Sequence, residues 1–363
     1  MRRLLATTTL ALTFVAASAC GGKEEPKKDA KAKAADAGKD GAKAKKGDAK
    51  KGDAKKGPDK LAKKDGDDAA GGGGAAAAAA GDLSAMVPEG AKMMASMDLK
   101  GLVGSALYKQ QSAMLESSPF GKNLVAAKAC NLGPETWQQA VMGADEAVDD
   151  AMMIAMAATG IGKKENIECI AAKYKEQDPK ADWKIEDKDG KVVVTLDGGD
   201  GMAWAVDDNT IVMAGKAWNA AMQERIGGKG KAAAEGSLKD AMALAGKGHI
   251  TFAGLATADM AKGPMEGAKF FGGALDLSDG LAVSATMAFA DADTAKARTD
   301  GFKQQFEGFK GMAGGLGIPQ TVVDSVKIEA KDATMAMSLK ATPADLDALG
   351  KAAAGAMLGG APQ

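Results

Sequence analysis

The sequence predicts an α+β fold of two tandem modules, each an antiparallel or mixed sheet with helices on one face, behind a disordered tether. Three observations predict it. Residues 23–81 hold Lys, Ala, Asp and Gly and almost nothing apolar larger than Ala, Leu61 being the exception. From residue 82 onward, two-residue apolar alternation and 3.6-residue stripes interleave, in segments too short to span a bilayer. The order strand, helix, strand, helix, hairpin, helix is then read twice, which we take as an internal duplication. The boundaries expected are a leader over 1–19, a tether over 20–81, a first module over 82–228 and a second over 229–363. The halves would meet near 227–240, where Gly227-Gly228-Lys229-Gly230 has the composition of a linker.

The elements follow in chain order. Met93, Ala95, Met97 and Leu99 share one face of a first strand, with Ser96 and Asp98 on the other. Helices are expected over about 104–116 and 121–130, and a second strand over Ala151–Ala158. A helix over 163–176 places Ile167, Ile170, Ala171 and Tyr174 at i, i+3, i+4, i+7, one apolar stripe. Asp189-Gly190 joins Trp183–Glu186 to Lys191–Leu196 as a hairpin. Asp207-Asp208-Asn209 joins Met202–Val206 to Thr210–Ala214, and a helix runs from Lys216 to Arg225. In the second half, Ile250–Leu255 and Leu281–Ala290 read as strands. A helix then carries Phe302, Phe306 and Phe309 on one face, and Val326–Ala330 pairs with Thr334–Lys340. Thr342-Pro343 opens the last helix, with Thr as N-cap, Pro in the first turn and Asp345 near the positive end of the dipole.

Charge excludes one class of function. The whole chain has 47 basic and 48 acidic side chains, a net of −1. Residues 21–68 hold 16 Lys against 11 Asp and Glu, so the part from residue 69 onward carries 29 basic and 37 acidic groups. A folded region of that sign lacks the Lys and Arg that displace counterions from phosphates, so no nucleic-acid partner is expected. One His and three Cys also leave too few ligands for a zinc site or a His-dependent triad.

The amino terminus carries a resemblance. Arg2-Arg3 precede an apolar run of about 13 residues, Leu4–Ala16. That is short of the ~20 residues that cross a bilayer and right for a signal-peptide core. Ala17-Ser18-Ala19-Cys20 follows, small residues before a Cys, and resembles the lipobox of bacterial lipoproteins, although Ala17 stands where Leu is commoner. The resemblance covers about the first 21 residues. It implies that Cys20 is diacylated and becomes the first residue after cleavage, so that acyl chains hold the protein to a membrane. Gly21 in place of Asp implies the outer membrane, on its periplasmic or surface face. The tandem arrangement behind this leader and tether also resembles, in overall style, uncharacterised envelope lipoproteins of myxobacteria-like bacteria, with no catalytic residues to carry over. The tether itself has too few branched or aromatic residues to offset its ordering entropy, and about 60 flexible residues reach roughly 40 Å.

Few residues suggest chemistry. His249 beside Gly248 could act as a general base, but no Ser or Cys motif accompanies it, and it reads as a partly exposed residue at a strand edge. Asp187-Lys188-Asp189-Gly190 and Asp197–Gly201 hint at calcium yet lack the alternating twelve-residue ligand set, so they read as hairpin turns. Asp291 and Asp293 read as N-terminal caps. No cofactor or metal is expected. With Cys20 acylated, Cys130 and Cys169 make an even pair in an oxidising compartment, so a disulfide between them is expected; the alternative is two buried free thiols. Met is abundant, 21 against 15 Phe, Trp and Tyr. Met and Ala either replace Ile and Phe in a closed core or line a groove for lipid or hydrophobic peptide. The function expected is therefore a lipid-anchored envelope lipoprotein with a non-catalytic binding or scaffolding role toward an envelope protein. The alternative is a carrier of lipid or another hydrophobic ligand in a Met-rich pocket, and an enclosed apolar cavity of several hundred Å³ would distinguish the two.

Overall fold

Alternating apolar residues with covered neighbours on both sides build one continuous sheet. The computed structural model describes residues 82–117, 121–188, 190–257 and 265–358. The leader, Cys20, the tether and Asp189 lie outside them. The strands are β1 (Met93–Asp98), β2 (Trp137–Ala144), β3 (Met152–Ala158), β4 (Lys184–Lys188), β5 (Lys191–Leu196), β6 (Gly201–Asp207) and β7 (Thr210–Gly215), then β8 (Ile250–Leu255), β9 (Ala268–Asp276), β10 (Leu281–Phe289), β11 (Lys327–Lys331) and β12 (Thr334–Ala341). They are ordered β11-β12-β10-β9-β8-β1-β2-β3-β7-β6-β5-β4, and every pairing is antiparallel. The fold is α+β, with an antiparallel rather than a mixed sheet.

The helices are α1 (Leu99–Gly104), α2 (Ala106–Ser117), α3 (Gly121–Ala129), α4 (Lys164–Gln177), α5 (Asn219–Ile226), α6 (Lys239–Met242), α7 (Ala292–Ala313), α8 (Gln320–Ser325) and α9 (Pro343–Leu358). Both halves share one path. A three-strand meander, β1-β2-β3 or β8-β9-β10, leads to a crossover helix, α4 or α7. Hairpins then return, and the last strand, β7 or β12, lands beside the third. The first half has one more hairpin. Its two first strands join the halves: β1 pairs β8, with Ser96 opposite Thr251. A short helix precedes each of these strands, a 3₁₀ turn over Leu83–Met86 and α6, and Leu83 and Leu238 are both fully buried. The two outermost strands even share a pattern, Lys184-Ile185-Glu186 and Lys327-Ile328-Glu329. Lys at both ends keeps the exposed edges from pairing with other chains.

The crossover helices lie on one face. On α4, Ile167 packs on Val194, Leu196 and Ala203, and Ile170 joins Leu132, Ala158 and Ile161. The α7 stripe packs Ala295 and Phe302 on Met287, Phe289 and Met335. The opposite face is covered by the chain before β1 and the chain between β7 and β8. Leu83, Met86, Trp218, Met222, Leu238 and Ala241 there close over Met94, Val141, Met153, Val212 and Ala253.

Four expectations need correction. Residues 227–240 are no loose linker, because Ala232, Ala233 and Leu238 are buried and Pro88 pairs with Ala232 across the two halves. The sequence pattern shows no strand at β2 or β9: it passes from β1 through helices to β3, and the repeated order implies a helix between β8 and β10. In β2, Ala140 and Val141 are buried on opposite faces, so alternation is lost. In β9, Gly272-Gly273 reads as a break but is a close approach: a Cβ on Gly272 would stand 2.7 Å from the Ala241 oxygen, and one on Gly273 would meet the Phe252 ring. In β1, the residue buried most deeply is Met94, on the face of Ser96 and Asp98. Both faces of β1 are covered, so its period does not say which face is inside. Leu99 belongs to α1, since Asp98 Oδ1 accepts the Gly101 N–H at 2.9 Å and ends the strand as a helix cap.

Candidate functional site

The covering segments stop short of one end of the central strands, and there the sheet face turns polar. Ser96 and Asp98 of β1, Gln139 of β2, Ala157 of β3, Thr210 of β7 and Thr251 of β8 occupy successive same-face positions in register. They line a groove of about 1060 Å³, walled by Leu83, the β6–β7 turn and Gly246–Gly248. Each wall is braced. Asn209 Oδ1 accepts the Gly160 N–H at 2.8 Å, and Asp207 Oδ1 accepts the Asn209 N–H at 2.8 Å. Gln139 donates through Nε2 to Ser96 Oγ at 3.3 Å. Gly248 cannot carry a side chain, as its Cβ would collide with the Leu275 carbonyl.

Three lining carboxylates, Asp98, Asp207 and Asp208, face one cation, Lys247. The side chains of Gln138, Asp208 and Lys247 have no hydrogen-bonding partner among the described residues. Among the described residues, no aromatic side chain lines the groove. Such a surface offers hydrogen-bond acceptors and amides to an extended ligand bearing ammonium or hydroxyl groups. It is open and about half polar, unlike the enclosed apolar cavity that a hydrophobic carrier would use. The methionines are mostly elsewhere, with Met86, Met94, Met153, Met222, Met287 and Met335 in packed clusters.

His249 stands beside this groove, just before β8. It is not at a sheet edge, because β8 is central, and its side chain is only 13% exposed. Its carbonyl accepts the Asp98 N–H at 2.7 Å. Nδ1 accepts the Leu277 N–H at 3.1 Å and lies 3.0 Å from Asp276 Oδ1. Two hydrogen bonds from Ser278, the hydroxyl and the amide, chiefly hold the Asp276 carboxyl below the usual carboxylate range.

The remaining singled-out residues lie apart from the groove. Asp187 sits in the β4–β5 hairpin and pairs with Val192. Asp197 Oδ1 accepts the Asp182 N–H at 3.2 Å across its turn. Asp291 caps α7 through the Thr294 N–H at 2.7 Å, while Asp293 lies inside the first turn. Among the described residues, no group of three or more His, Cys, Asp or Glu is placed to hold a metal ion. Cys130, after α3, and Cys169, on α4, are joined as a disulfide with Cα atoms 5.7 Å apart. Sequence reasoning missed the groove altogether. Its residues come from six strands and three connections, and the sequence shows only Ser96 and Asp98 on one strand face and Asp207-Asp208-Asn209 as a turn.

No family model matches the chain, and no curated protein matches it. Among solved structures the chain is similar to TP0453. Crystal form III matches at a TM-score of 0.49 and 7% identity over 74% of this chain and 97% of that one. Crystal form I matches at a TM-score of 0.45 and 7% identity over 76% and 97%.

Proposed function

We propose that this protein is a lipid-anchored lipoprotein of the cell envelope, probing its surroundings through a non-catalytic binding site, and that the groove over Asp98, Gln139, Asp208 and Thr251 is that site. The observation that carries the binding role is the groove itself: a braced surface of about 1060 Å³, polar along its floor, where Gln138, Asp208 and Lys247 have no side-chain partner among the described residues. A hydroxyl- or ammonium-bearing envelope component fits this lining, by charge toward its three carboxylates and by hydrogen bonding to its amides. The anchoring half of the reading is supported by Ala17-Ser18-Ala19-Cys20 behind a short apolar core, and the outer-membrane assignment by Gly21. No helix among the described residues is long and apolar enough to cross a membrane.

Native mass spectrometry of the protein purified from its own membrane tests the reading. We expect a polar adduct that is lost in Asp208→Lys and Gln138→Ala variants of unchanged thermal midpoint. An adduct that survives both changes would overturn the groove assignment, and a co-purifying acyl lipid in its place would favour the hydrophobic carrier.

A further inference from the structure

We propose that His249 is a protonation latch between the wall of the groove and the β9–β10 turn. One ring nitrogen has two neighbours that ask opposite things of it. Nδ1 lies 3.1 Å from the Leu277 N–H, a donor, and 3.0 Å from Asp276 Oδ1, an acceptor. A neutral ring with its proton on Nε2 presents a lone pair at Nδ1, which accepts from Leu277 and opposes the carboxylate. A proton from solvent on Nδ1 reverses both interactions. The cation donates to Asp276 Oδ1, and the Leu277 N–H loses its acceptor.

The carboxylate is ready for that exchange. Ser278 donates to the same Oδ1 from its amide at 3.0 Å and its hydroxyl at 2.7 Å, so Asp276 stays ionised where imidazole titrates. The charged groups around the ring come from three elements. Asp276 ends β9, with Asp279 in the turn that follows. Asp98 comes from the β1–α1 junction, its carboxylate and His249 Cδ2 both crowding Gly101, where a Cβ would stand 2.9 Å from Cδ2; Lys100 is the adjacent residue on α1. Lys247 is on the same segment as the ring.

What the latch moves is set by the backbone. His249 connects Gly248, whose neighbour Lys247 lines the groove, to β8, where Thr251 forms its floor. Its carbonyl also holds the Asp98 N–H of the facing strand at 2.7 Å. Releasing Leu277 frees the first residue after β9, two positions beyond Leu275, whose carbonyl occupies the space a Gly248 Cβ would need. Acidification therefore loosens one groove wall. The regulatory meaning rests on the binding reading above, whereas the switch at Nδ1 does not.

The chain has a single His, so ¹⁵N-histidine labelling of the full-length protein in detergent reports this ring alone. We expect the neutral ring to carry its proton on Nε2. The Leu277 amide should respond together with the ring, its protection against hydrogen exchange, corrected for the intrinsic pH dependence, falling about tenfold as the ring charges, and Asp276→Asn should weaken that fall at any one pH. A neutral-state proton on Nδ1, or a Leu277 amide that ignores the ring's titration, would overturn the latch. The Asp98 and Thr251 amides are the readout for the groove, and should follow the same curve. If Leu277 follows and they do not, the coupling to the groove is wrong. None of these signals needs a ligand, so they separate failure of the latch from failure of the binding site.

Discussion

Arg225 shows how a single side chain holds the two halves together. Its guanidinium is 8% exposed and donates to the carbonyls of Ala85, Lys229 and Gly230, tying the chain before β1 to the connection after α5. A planar fork reaches all three and an ammonium does not. Arg225→Lys should therefore lower stability by roughly 1.5–3 kcal/mol, seen as a shifted urea midpoint with unchanged slope. The same residue explains why Gly227-Gly228-Lys229-Gly230 is misread as a linker: glycine content is local, but the carbonyls it offers to Arg225 are not. Methionine divides along similar lines. Met153 is fully buried in the central cluster and Met312 is 62% exposed. Met153→Ala should cost about 2–5 kcal/mol through the cavity it leaves, and Met312→Ala close to nothing, both read from thermal midpoints.

Elements with local signals are legible, and those stabilised from a distance are not. The start of α9 is of the first kind. Thr342 Oγ1 accepts the Asp345 N–H at 3.2 Å, and Asp345 Oδ2 accepts the Thr342 N–H at 2.9 Å, a reciprocal cap that Thr342-Pro343 announces. The Thr321 hydroxyl, which also donates to Asp345, is the long-range part. Hydrogen bonds from Thr321 and Thr342 hold the Asp345 carboxyl below the usual carboxylate range. A depressed folded-state value contributes stability above the ordinary carboxylate range and loses it as pH falls through that range toward the lowered value. Thermal melts from pH 7 down to pH 3 should then fall less steeply for Asp345→Asn than for the parent chain, and an equal acid limb would remove Asp345 from the account. The disulfide links α3 to α4 over a sequence separation of 39. Replacing Cys130 and Cys169 by Ser should cost about 3–4 kcal/mol in the chain-entropy treatment, measured by denaturant unfolding without reductant. Strands β2 and β9 are of the second kind. Adjacent buried Ala140 and Val141, and the paired glycines 272 and 273, each break the two-residue alternation because the sheet is covered on both faces.

At the scale of the whole molecule, anchoring and folding are expected to be separable. Cys20→Ala should move the protein from the membrane pellet to the supernatant, and retention after a high-salt wash would refute the acyl anchor. A chain starting at Gly81 should keep its thermal midpoint, because the described core begins at Leu83. The sequence by itself determined what depends on near neighbours: the α+β class, the α4 and α7 stripes, the Asp207–Asn209 turn and the Thr342 cap, together with the expectation of export drawn from Arg2 to Cys20. Tertiary structure alone decided that the two halves merge into one antiparallel sheet, that β1 meets β8, and that Asp98, Gln139, Asp208 and Thr251 share a groove beside His249. The physical reason is range. Capping, turn and stripe energies act within a few residues, so they leave a local pattern, whereas the pairing of Met93 with Gly254 and the side of the sheet that faces water are set by contacts between segments whose order in space no local period encodes.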